Sequence, residues 1–185
     1  MFKMPSPRFV KGFTAVELLV TIAILGVLAA VAAPSFKPLI ERWKVRQVTE
    51  ELQSTFYVAR SEAIKRGGGI TILRNGDTTE CTTVGSDTSL WSCGWIVFVD
   101  KNNDGAQDSG EDTLQTVSLP SKVSVKLTGM SEPTLIKVDR WGQLSAANAA
   151  IELKGSNETQ ASTSSMCING NGRIYTPDAG STSCT

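Results

Sequence analysis

The chain divides into three parts by its pattern of apolar and polar residues. A leader with three basic side chains, Met1–Gly12, is followed by a mainly apolar run of 21 residues, Phe13–Ala33, in which Glu17 is the one acid. As a helix this run would be about 31 Å long, enough to cross the hydrocarbon core of a bilayer. The pattern therefore predicts a transmembrane helix for residues 13–33.

Residues 34–66 follow a second pattern, in which apolar side chains are spaced three and four positions apart. This spacing is typical of one face of an amphipathic helix. The apolar positions are Phe36, Leu39, Ile40, Trp43, Val48, Leu52, Phe56, Ala59 and Ala63. Lys65 and Arg66, followed by three glycines, are a helix stop signal. We therefore predict one helix of about 50 residues that ends at Arg66, bends or loosens at Pro34 and Pro38, and packs its second half on a sheet.

The remaining residues, 67–185, contain short segments in which apolar and polar side chains alternate, as they do in β-strands. Turn-forming glycines and asparagines separate these segments. The predicted strands are Ile70–Arg74, Trp95–Val99, Thr113–Leu119, Lys122–Thr128, Thr134–Asp139, Ile151–Lys154, Met166–Ile168 and Arg173–Tyr175. A long helix followed by an antiparallel sheet is an α+β layout. We expect Trp91, Trp95 and Trp141 to pack in its core or on its sheet.

The composition argues against catalysis and against nucleic-acid binding. The chain has no histidine, which removes histidine-based catalysis and histidine metal ligation. Its 18 basic and 18 acidic residues cancel, and removal of the leader with its three basic residues leaves 15 against 18, a net charge of −3. A dedicated nucleic-acid binder would carry a basic patch. We therefore expect neither an enzyme nor a cofactor, and nucleic acid is an unfavoured partner.

The four cysteines, Cys81, Cys93, Cys167 and Cys184, all lie in the third part of the chain. No two of them have the spacing of a zinc site. The basic leader stays cytoplasmic by the positive-inside rule, which places the third part outside the cytoplasm, where disulfides persist. Three pairings are possible. We favour Cys81–Cys93 and Cys167–Cys184 because each closes a short loop, and each then stabilises the fold by about 3 kcal/mol.

A conventional cleaved signal peptide is the alternative interpretation of the N-terminus. The small residues Ala29, Ala30, Ala32 and Ala33 are similar to the cleavage site of such a peptide. Against this interpretation, Glu17 would cost about 2.5–3.5 kcal/mol at the centre of a bilayer. The apolar run also continues directly into the amphipathic segment.

The junction of leader and apolar run carries a family resemblance. Gly12, then Phe13, and then Glu17 as the fifth residue after the glycine resemble the type III signal of type IV prepilins and pseudopilins. The resemblance implies that a prepilin peptidase cleaves between Gly12 and Phe13 and that Phe13 is N-methylated. It also implies that Glu17 pairs with the amine of Phe13 on a neighbouring subunit. The chain would be a single-pass protein of the inner membrane, with its head in the periplasm, until it joins a pilus on the cell surface.

Three further segments narrow the resemblance to a subgroup. They are ARSEAIKR at 59–66, CGWIVFVDKNNDGAQDSGEDTL at 93–114 and CINGNGRIY at 167–175. Together with the signal they are similar to the GspH/FimT (FimU-like) group of minor pilins and pseudopilins. The similarity implies a pilin fold, in which a long N-terminal helix packs on an antiparallel sheet with two disulfides. Its parts would be a leader at 1–12, a filament-core helix at 13–33, an amphipathic helix at 34–66 and a β-rich head at 67–185.

The same resemblance implies a function in assembly. A member of this subgroup would be a minor type IV pilin that helps to initiate or cap the pilus, with other major and minor pilins as partners. The alternative is a minor pseudopilin of a type II secretion system. A DNA-binding pilin for natural transformation fits less well, because the tail after Cys167 holds a single basic residue, Arg173, and DNA affinity needs several cations.

Residues 100–111 satisfy the pattern of an EF-hand calcium loop. Asp100, Asn102, Asp104 and Glu111 fall at ligand positions, and Gly105 falls where such a loop turns sharply. However, a strand rather than a helix is predicted before the loop, and a polar β-hairpin turn accounts for the same residues. We therefore assign no metal site from the sequence and keep calcium binding as a hypothesis.

Overall fold

The chain forms two compact units, residues 1–37 and 38–185. Helix α1, Ala15–Ala32, lies in the first unit. Helix α2, Lys37–Arg66, lies in the second unit apart from its first residue, together with eight strands. The computed structural model describes residues 12–32, 36–79, 81–120, 122–156, 163–169, 172–177 and 184.

Helix α1 coincides with the predicted apolar run. It contains 18 residues and begins two positions after Phe13. The leader up to Lys11 and the end of the predicted run at Ala33 lie outside the described residues. In the part of the chain that the structure describes, no helix combines the length and the hydropathy that crossing a membrane requires.

Helix α2 ends at Arg66, as the stop signal predicts. Pro38 is its second residue. In the first turn of a helix a proline removes no helical hydrogen bond, so it does not interrupt the helix there. Pro34, the other predicted bend, lies outside the described residues.

The apolar stripe predicted for α2 is buried over only part of its length. The buried residues of the helix are Val45, Val48, Thr49, Leu52, Thr55, Phe56, Ala59 and Ala63. The exposed residues of the predicted stripe are Phe36, Leu39, Ile40 and Trp43. The prediction is therefore wrong for the first turns, because the described core begins at Val45. Helical spacing shows which face is apolar but not how far along the helix a sheet covers it.

All eight predicted strands are present, with small shifts at their ends. They are β1 Ile70–Arg74, β2 Trp95–Val99, β3 Thr113–Val117, β4 Val123–Thr128, β5 Leu135–Val138, β6 Ala149–Gly155, β7 Thr163–Ile168 and β8 Ile174–Tyr175. The strands form two four-stranded sheets rather than the one sheet that the sequence predicts, in the orders β3-β2-β1-β5 and β4-β6-β7-β8. Every pairing is antiparallel.

The hydrophobic core combines residues of α2 with residues of both sheets. Trp91 and Trp95 are fully buried there, with ring centroids 6.2 Å apart. Trp95 Nε1 donates to Thr55 Oγ1 of α2 at 3.0 Å. Trp141 differs from the prediction, because it lies in the turn after β5, where its backbone N donates to Asp139 Oδ1 and its side chain is 74% exposed.

Candidate functional site

The predicted processing and assembly residues lie at the start of α1. Gly12 and Phe13 precede the helix, and the Phe13 side chain is 90% exposed. Glu17 lies in the first turn. Its Oε2 accepts hydrogen bonds from the backbone N and from Oγ1 of Thr14, both at 2.8 Å. In return, the backbone N of Glu17 donates to Thr14 Oγ1 at 3.2 Å.

These reciprocal bonds between Thr14 and Glu17 form a capping box. The box satisfies backbone N–H groups that the first turn of a helix otherwise leaves unpaired. Thr14 is absent from the site residues predicted above, although a threonine three positions before a glutamate, at the start of an apolar run, is the signal for this motif. Glu17 therefore has a partner within its own chain.

Helix α1 presents a nearly continuous apolar surface. Nine of its large side chains are between 52% and 68% exposed: Val16, Leu18, Leu19, Val20, Ile22, Ile24, Leu25, Val27 and Leu28. A helix that is apolar all round is normally found in a protein core or in a membrane. Such a surface calls for an apolar environment.

Both predicted disulfides are present. Cys81 and Cys93 have Cα atoms 5.6 Å apart, and Cys167 and Cys184 have Cα atoms 5.5 Å apart, both in the usual range. The first bond closes part of the connection between β1 and β2. The second joins Cys184 to Cys167 of β7. The preference for the two short loops is confirmed.

Arg60 of α2 connects segments that are distant in the sequence. Its Nε donates to the carbonyl oxygen of Gly142 at 2.6 Å across 82 positions of the chain. Its guanidinium also lies against Gly172, where a Cβ would come within 2.7 Å of it. Two of the segments that carry the family resemblance, 59–66 and 167–175, therefore meet at this side chain. Sequence spacing does not predict this contact, because it depends on how the sheets fold over the helix.

The acidic loop at 100–111 follows β2 and begins at a buried carboxylate. Asp100 Oδ2 accepts a hydrogen bond from Thr71 Oγ1 at 2.8 Å, which ties the start of the loop to β1. The same oxygen accepts from the backbone N of Gly105 at 3.0 Å, which holds the turn of the loop against its start. The predicted polar turn is therefore present and is anchored to the first sheet.

Glu111 closes the acidic loop from its other end. Its Oε1 accepts from the backbone N of Lys101 at 2.7 Å, and its Oε2 accepts from the backbone N of Asp108 at 3.1 Å. Among the described residues, no group of three or more acidic, histidine or cysteine side chains is arranged so that it could hold a metal ion. In this arrangement the carboxylates are held by hydrogen bonds from the loop backbone.

The lysines on the second sheet are matched by acids. Lys126 Nζ lies 3.4 Å from Asp87 Oδ2, and Lys154 Nζ lies 3.0 Å from Glu152 Oε1. The side chain of Ser89, and to a smaller extent its backbone N–H, donate hydrogen bonds that hold the pKa of Asp87 below its ordinary value. This carboxylate therefore stays charged opposite Lys126. DNA affinity depends on several cations free to neutralise phosphates. These two pairs therefore lend no support to nucleic-acid binding.

Two sequence families match the chain. The model of the family described as type II transport protein GspH matches residues 48–172. The model of the prokaryotic N-terminal methylation motif matches residues 7–33. The GspH match lies within the second compact unit. The methylation-motif match covers the junction of leader and apolar run together with α1.

Several curated pilins are similar to the chain over a short segment. The fimbrial protein EcpB of Eikenella corrodens is 42% identical over 60 residues, which are 32% of this chain and 36% of that protein. The type IV major alpha-pilin of Moraxella bovis is 45% identical over 42 residues, 23% of this chain and 26% of that protein. A fimbrial protein of Pseudomonas aeruginosa is 39% identical over 57 residues, 31% of this chain and 36% of that protein. The aligned segment thus spans only 26–36% of the length of these relatives.

Two solved structures share the fold over most of the chain. The type IV minor pilin FimU of Pseudomonas aeruginosa superposes with a TM-score of 0.55 at 18% identity, covering 80% of this chain and 98% of that one. The minor pseudopilin EpsH from the type 2 secretion system of Vibrio cholerae superposes with a TM-score of 0.51 at 13% identity, covering 75% of this chain and 99% of that one. At these identities the likeness shows the fold alone.

Proposed function

The chain belongs to the family described as type II transport protein GspH, and on that premise we propose that it is a minor type IV pilin. In this role it is a structural subunit, rather than an enzyme, that helps to initiate or cap a pilus. Its partners are other major and minor pilins. The matched N-terminal methylation motif and the fold shared with the minor pilin FimU support the proposal.

One observation carries the proposal: helix α1 exposes apolar side chains along its length and has a single acid, Glu17, in its first turn. Copies of such a helix packed side by side cover the apolar surface. Glu17 of one copy then pairs with the N-terminal amine of a neighbour. In an apolar environment either charge alone is costly, so the pair sets the register between subunits.

Processing precedes assembly in this proposal. A prepilin peptidase removes residues 1–12 by cleaving between Gly12 and Phe13, and Phe13 is N-methylated. Before assembly, the segment 13–33 anchors the protein in the inner membrane with its head in the periplasm. After assembly, the same segment lies in the core of the pilus.

Intact-mass spectrometry of the chain from sheared surface filaments tests processing and location together. We expect a species that begins at Phe13, is heavier by one methyl group, and is lighter by four hydrogens for two disulfides. A chain that begins at another residue would contradict the processing step and, with it, the prepilin interpretation.

The substitution Glu17→Ala tests the assembly role directly. We expect it to abolish incorporation into filaments while cleavage after Gly12 continues, because the acid is needed for register and not for recognition by the peptidase. Glu50→Ala is the matched control, since Glu50 is an exposed acid of α2 whose partner is Arg46 on the same helix. Normal piliation in the Glu17 variant would refute the proposal.

A minor pseudopilin of a type II secretion system is the second candidate, favoured by the description of the matched family as type II transport. Deletion of the gene that encodes the chain distinguishes the pilin function from the pseudopilin function. Loss of surface pili with normal protein secretion supports the pilin. Loss of secreted enzymes with normal pili, and the mature chain found only in the inner membrane, supports the pseudopilin.

A further inference from the structure

In the acidic loop at 100–111, side-chain oxygen atoms accept hydrogen bonds from backbone N–H groups of the same loop. Asn102 Oδ1 accepts from the backbone N of Asp104 at 3.1 Å, and Asp104 Oδ1 accepts from the backbone N of Ala106 at 2.8 Å. Gly105 has a φ of +83°, and a Cβ there would lie 2.6 Å from Leu135 Cδ2. The turn is therefore packed against β5, and its positive φ favours glycine at this position.

One carboxylate oxygen in this loop has no partner. Asp100 is 1% exposed. Its Oδ2 accepts from Thr71 and from Gly105, but its Oδ1 has no hydrogen-bond partner among the described residues. Oδ2 joins the start of the loop to β1 through Thr71 and to the turn of the loop through Gly105. A buried carboxylate oxygen without a partner carries a substantial desolvation penalty, and a bound cation would remove it.

Two more carboxylates converge on one donor. Asn102 Nδ2 lies 2.9 Å from Asp104 Oδ2 and 3.0 Å from Asp108 Oδ2, so a single amide group separates two acids. Among the described residues, no lysine or arginine forms an ion pair with any acid of the loop. Lys101 Nζ instead donates to the carbonyl oxygen of Gly110. Lys137 Nζ likewise donates to the carbonyl oxygen of Asn103 at 2.6 Å. Both lysines therefore bond to backbone carbonyl oxygens of the loop rather than to its carboxylates.

We propose that the loop 100–111 binds a calcium ion. The oxygen ligands are the side chains of Asp100, Asn102, Asp104 and Glu111 and the backbone carbonyl of Ala106, with Asp108 as a ligand directly or through water. Calcium takes six to eight such oxygens in flexible geometry, whereas magnesium demands a compact octahedron.

Binding requires a limited rearrangement of the loop. The cation replaces the Asn102 amide hydrogens between Asp104 and Asp108, and rotation of that amide presents its oxygen instead of its nitrogen. Glu111 already reaches back to the start of the loop. The helix that precedes an EF-hand loop is replaced here by β2, and the bond from Thr71 to Asp100 supplies the anchor on the sheet.

Isothermal titration of CaCl₂ into the full chain in detergent, after removal of divalent ions with a chelator, tests the proposal. We expect saturable binding of one ion with a Kd of about 10⁻⁴–10⁻³ M, the range of extracellular calcium modules. Calcium should also raise the melting temperature followed by tryptophan fluorescence. Magnesium at the same concentration should do so much less.

Two variants and one control locate the ion. Asp108→Asn and Glu111→Gln should each weaken binding about tenfold or more, because each removes a charged oxygen ligand. Asp108 is exposed, and among the described residues its carboxylate accepts a hydrogen bond from Asn102 alone, so its variant should fold normally. Glu132→Gln, at an exposed acid outside the loop, should bind as the parent does. Absence of saturable heat up to 10 mM calcium (about ten times the weakest expected Kd), or binding that both loop variants leave unchanged, overturns the proposal.

Discussion

Helix α1 and helix α2 are both rich in apolar residues, but they expose them to very different degrees. Nine large apolar side chains of α1 are more than half exposed, although Tyr57, Val58 and Ile64 of α2 are exposed as well. The buried apolar residues of α2, which share the core with both sheets, are Val45, Val48, Leu52, Phe56, Ala59 and Ala63. The core thus covers one set of apolar side chains of α2, whereas those of α1 lie exposed. Under the proposed function, a membrane or other subunits cover the apolar side chains of α1. We expect substitutions in α1 to change assembly and substitutions in the head to change folding.

The largest effect on folding is expected at Gly94, which precedes β2. Its φ is +87°, and a Cβ there would lie 2.0 Å from the carbonyl oxygen of Val117. Gly94→Ala should destabilise the head by roughly 4 kcal/mol or more, because the clash is with backbone that strand pairing holds in place. Thermal unfolding of the full chain in detergent measures the loss.

Gly110→Ala is the control for the Gly94 variant. Gly110 also has a positive φ, +101°, but nothing lies within 4 Å of the position of its Cβ. Its substitution should cost only about 1–2 kcal/mol, the price of the backbone conformation. Equal losses at the two glycines would show that the close approach to Val117 is not what requires a glycine.

Two substitutions to alanine test whether the stability of the head depends on α2 and not on α1. Phe56 of α2 is fully buried, and Phe56→Ala should lower the free energy of unfolding of the head by about 3–5 kcal/mol. Leu19 of α1 is exposed, and Leu19→Ala should change it by less than about 0.5 kcal/mol. Fluorescence of the buried residues Trp91 and Trp95 reports both. A comparable loss at Leu19 would mean that the head depends on α1 for its stability.

The smallest effect is expected at the capping box of α1. Thr14→Ala removes the hydroxyl that accepts from the backbone of Glu17 and should destabilise the first turn by about 1 kcal/mol. Amide hydrogen exchange at Val16–Leu18 in detergent should then accelerate about fivefold. Thr21→Ala is the control, because that hydroxyl donates to the carbonyl of Leu18 inside the helix and caps nothing. Unchanged exchange in the Thr14 variant would refute the capping role.

The Thr14 variant also sharpens the interpretation of Glu17. Thr14→Ala weakens the cap but leaves the carboxylate free to pair with a neighbouring subunit, so filaments should still form. Glu17→Ala removes both the cap and the charge. If both variants abolished assembly equally, helix capping rather than the pair between subunits would explain the need for Glu17.

Local patterns in the sequence predicted much of the head. Strands such as Val123–Thr128 show strict alternation of apolar and polar residues, and that alternation follows directly from the geometry of a strand with one buried face. The end of α2 at Arg66 and the two disulfides also depend on features close together in the sequence. The family resemblance, rather than periodicity, supplied the assignment of Gly12, Phe13 and Glu17.

Other features could not be predicted, because they depend on residues far apart in the chain. Trp43 is exposed because it precedes the part of α2 that the core covers. Trp141 is exposed because it lies in a turn outside the core. The contact of Arg60 with Gly142 joins a helix to a distant turn. Thr14 is a different case, since its capping motif is readable in four consecutive residues.

Local features of the sequence therefore specify the elements of this protein: an apolar helix with one acid, an amphipathic helix, eight strands and two short disulfide loops. These follow from periodicity, turn residues and spacing, which are local. Three further features arise only when the chain folds: the strands form two sheets, the burial of α2 begins at Val45, and Asp100 is buried with one oxygen unpaired among the described residues. These depend on which distant residues share the core, and local propensity carries no information about that choice.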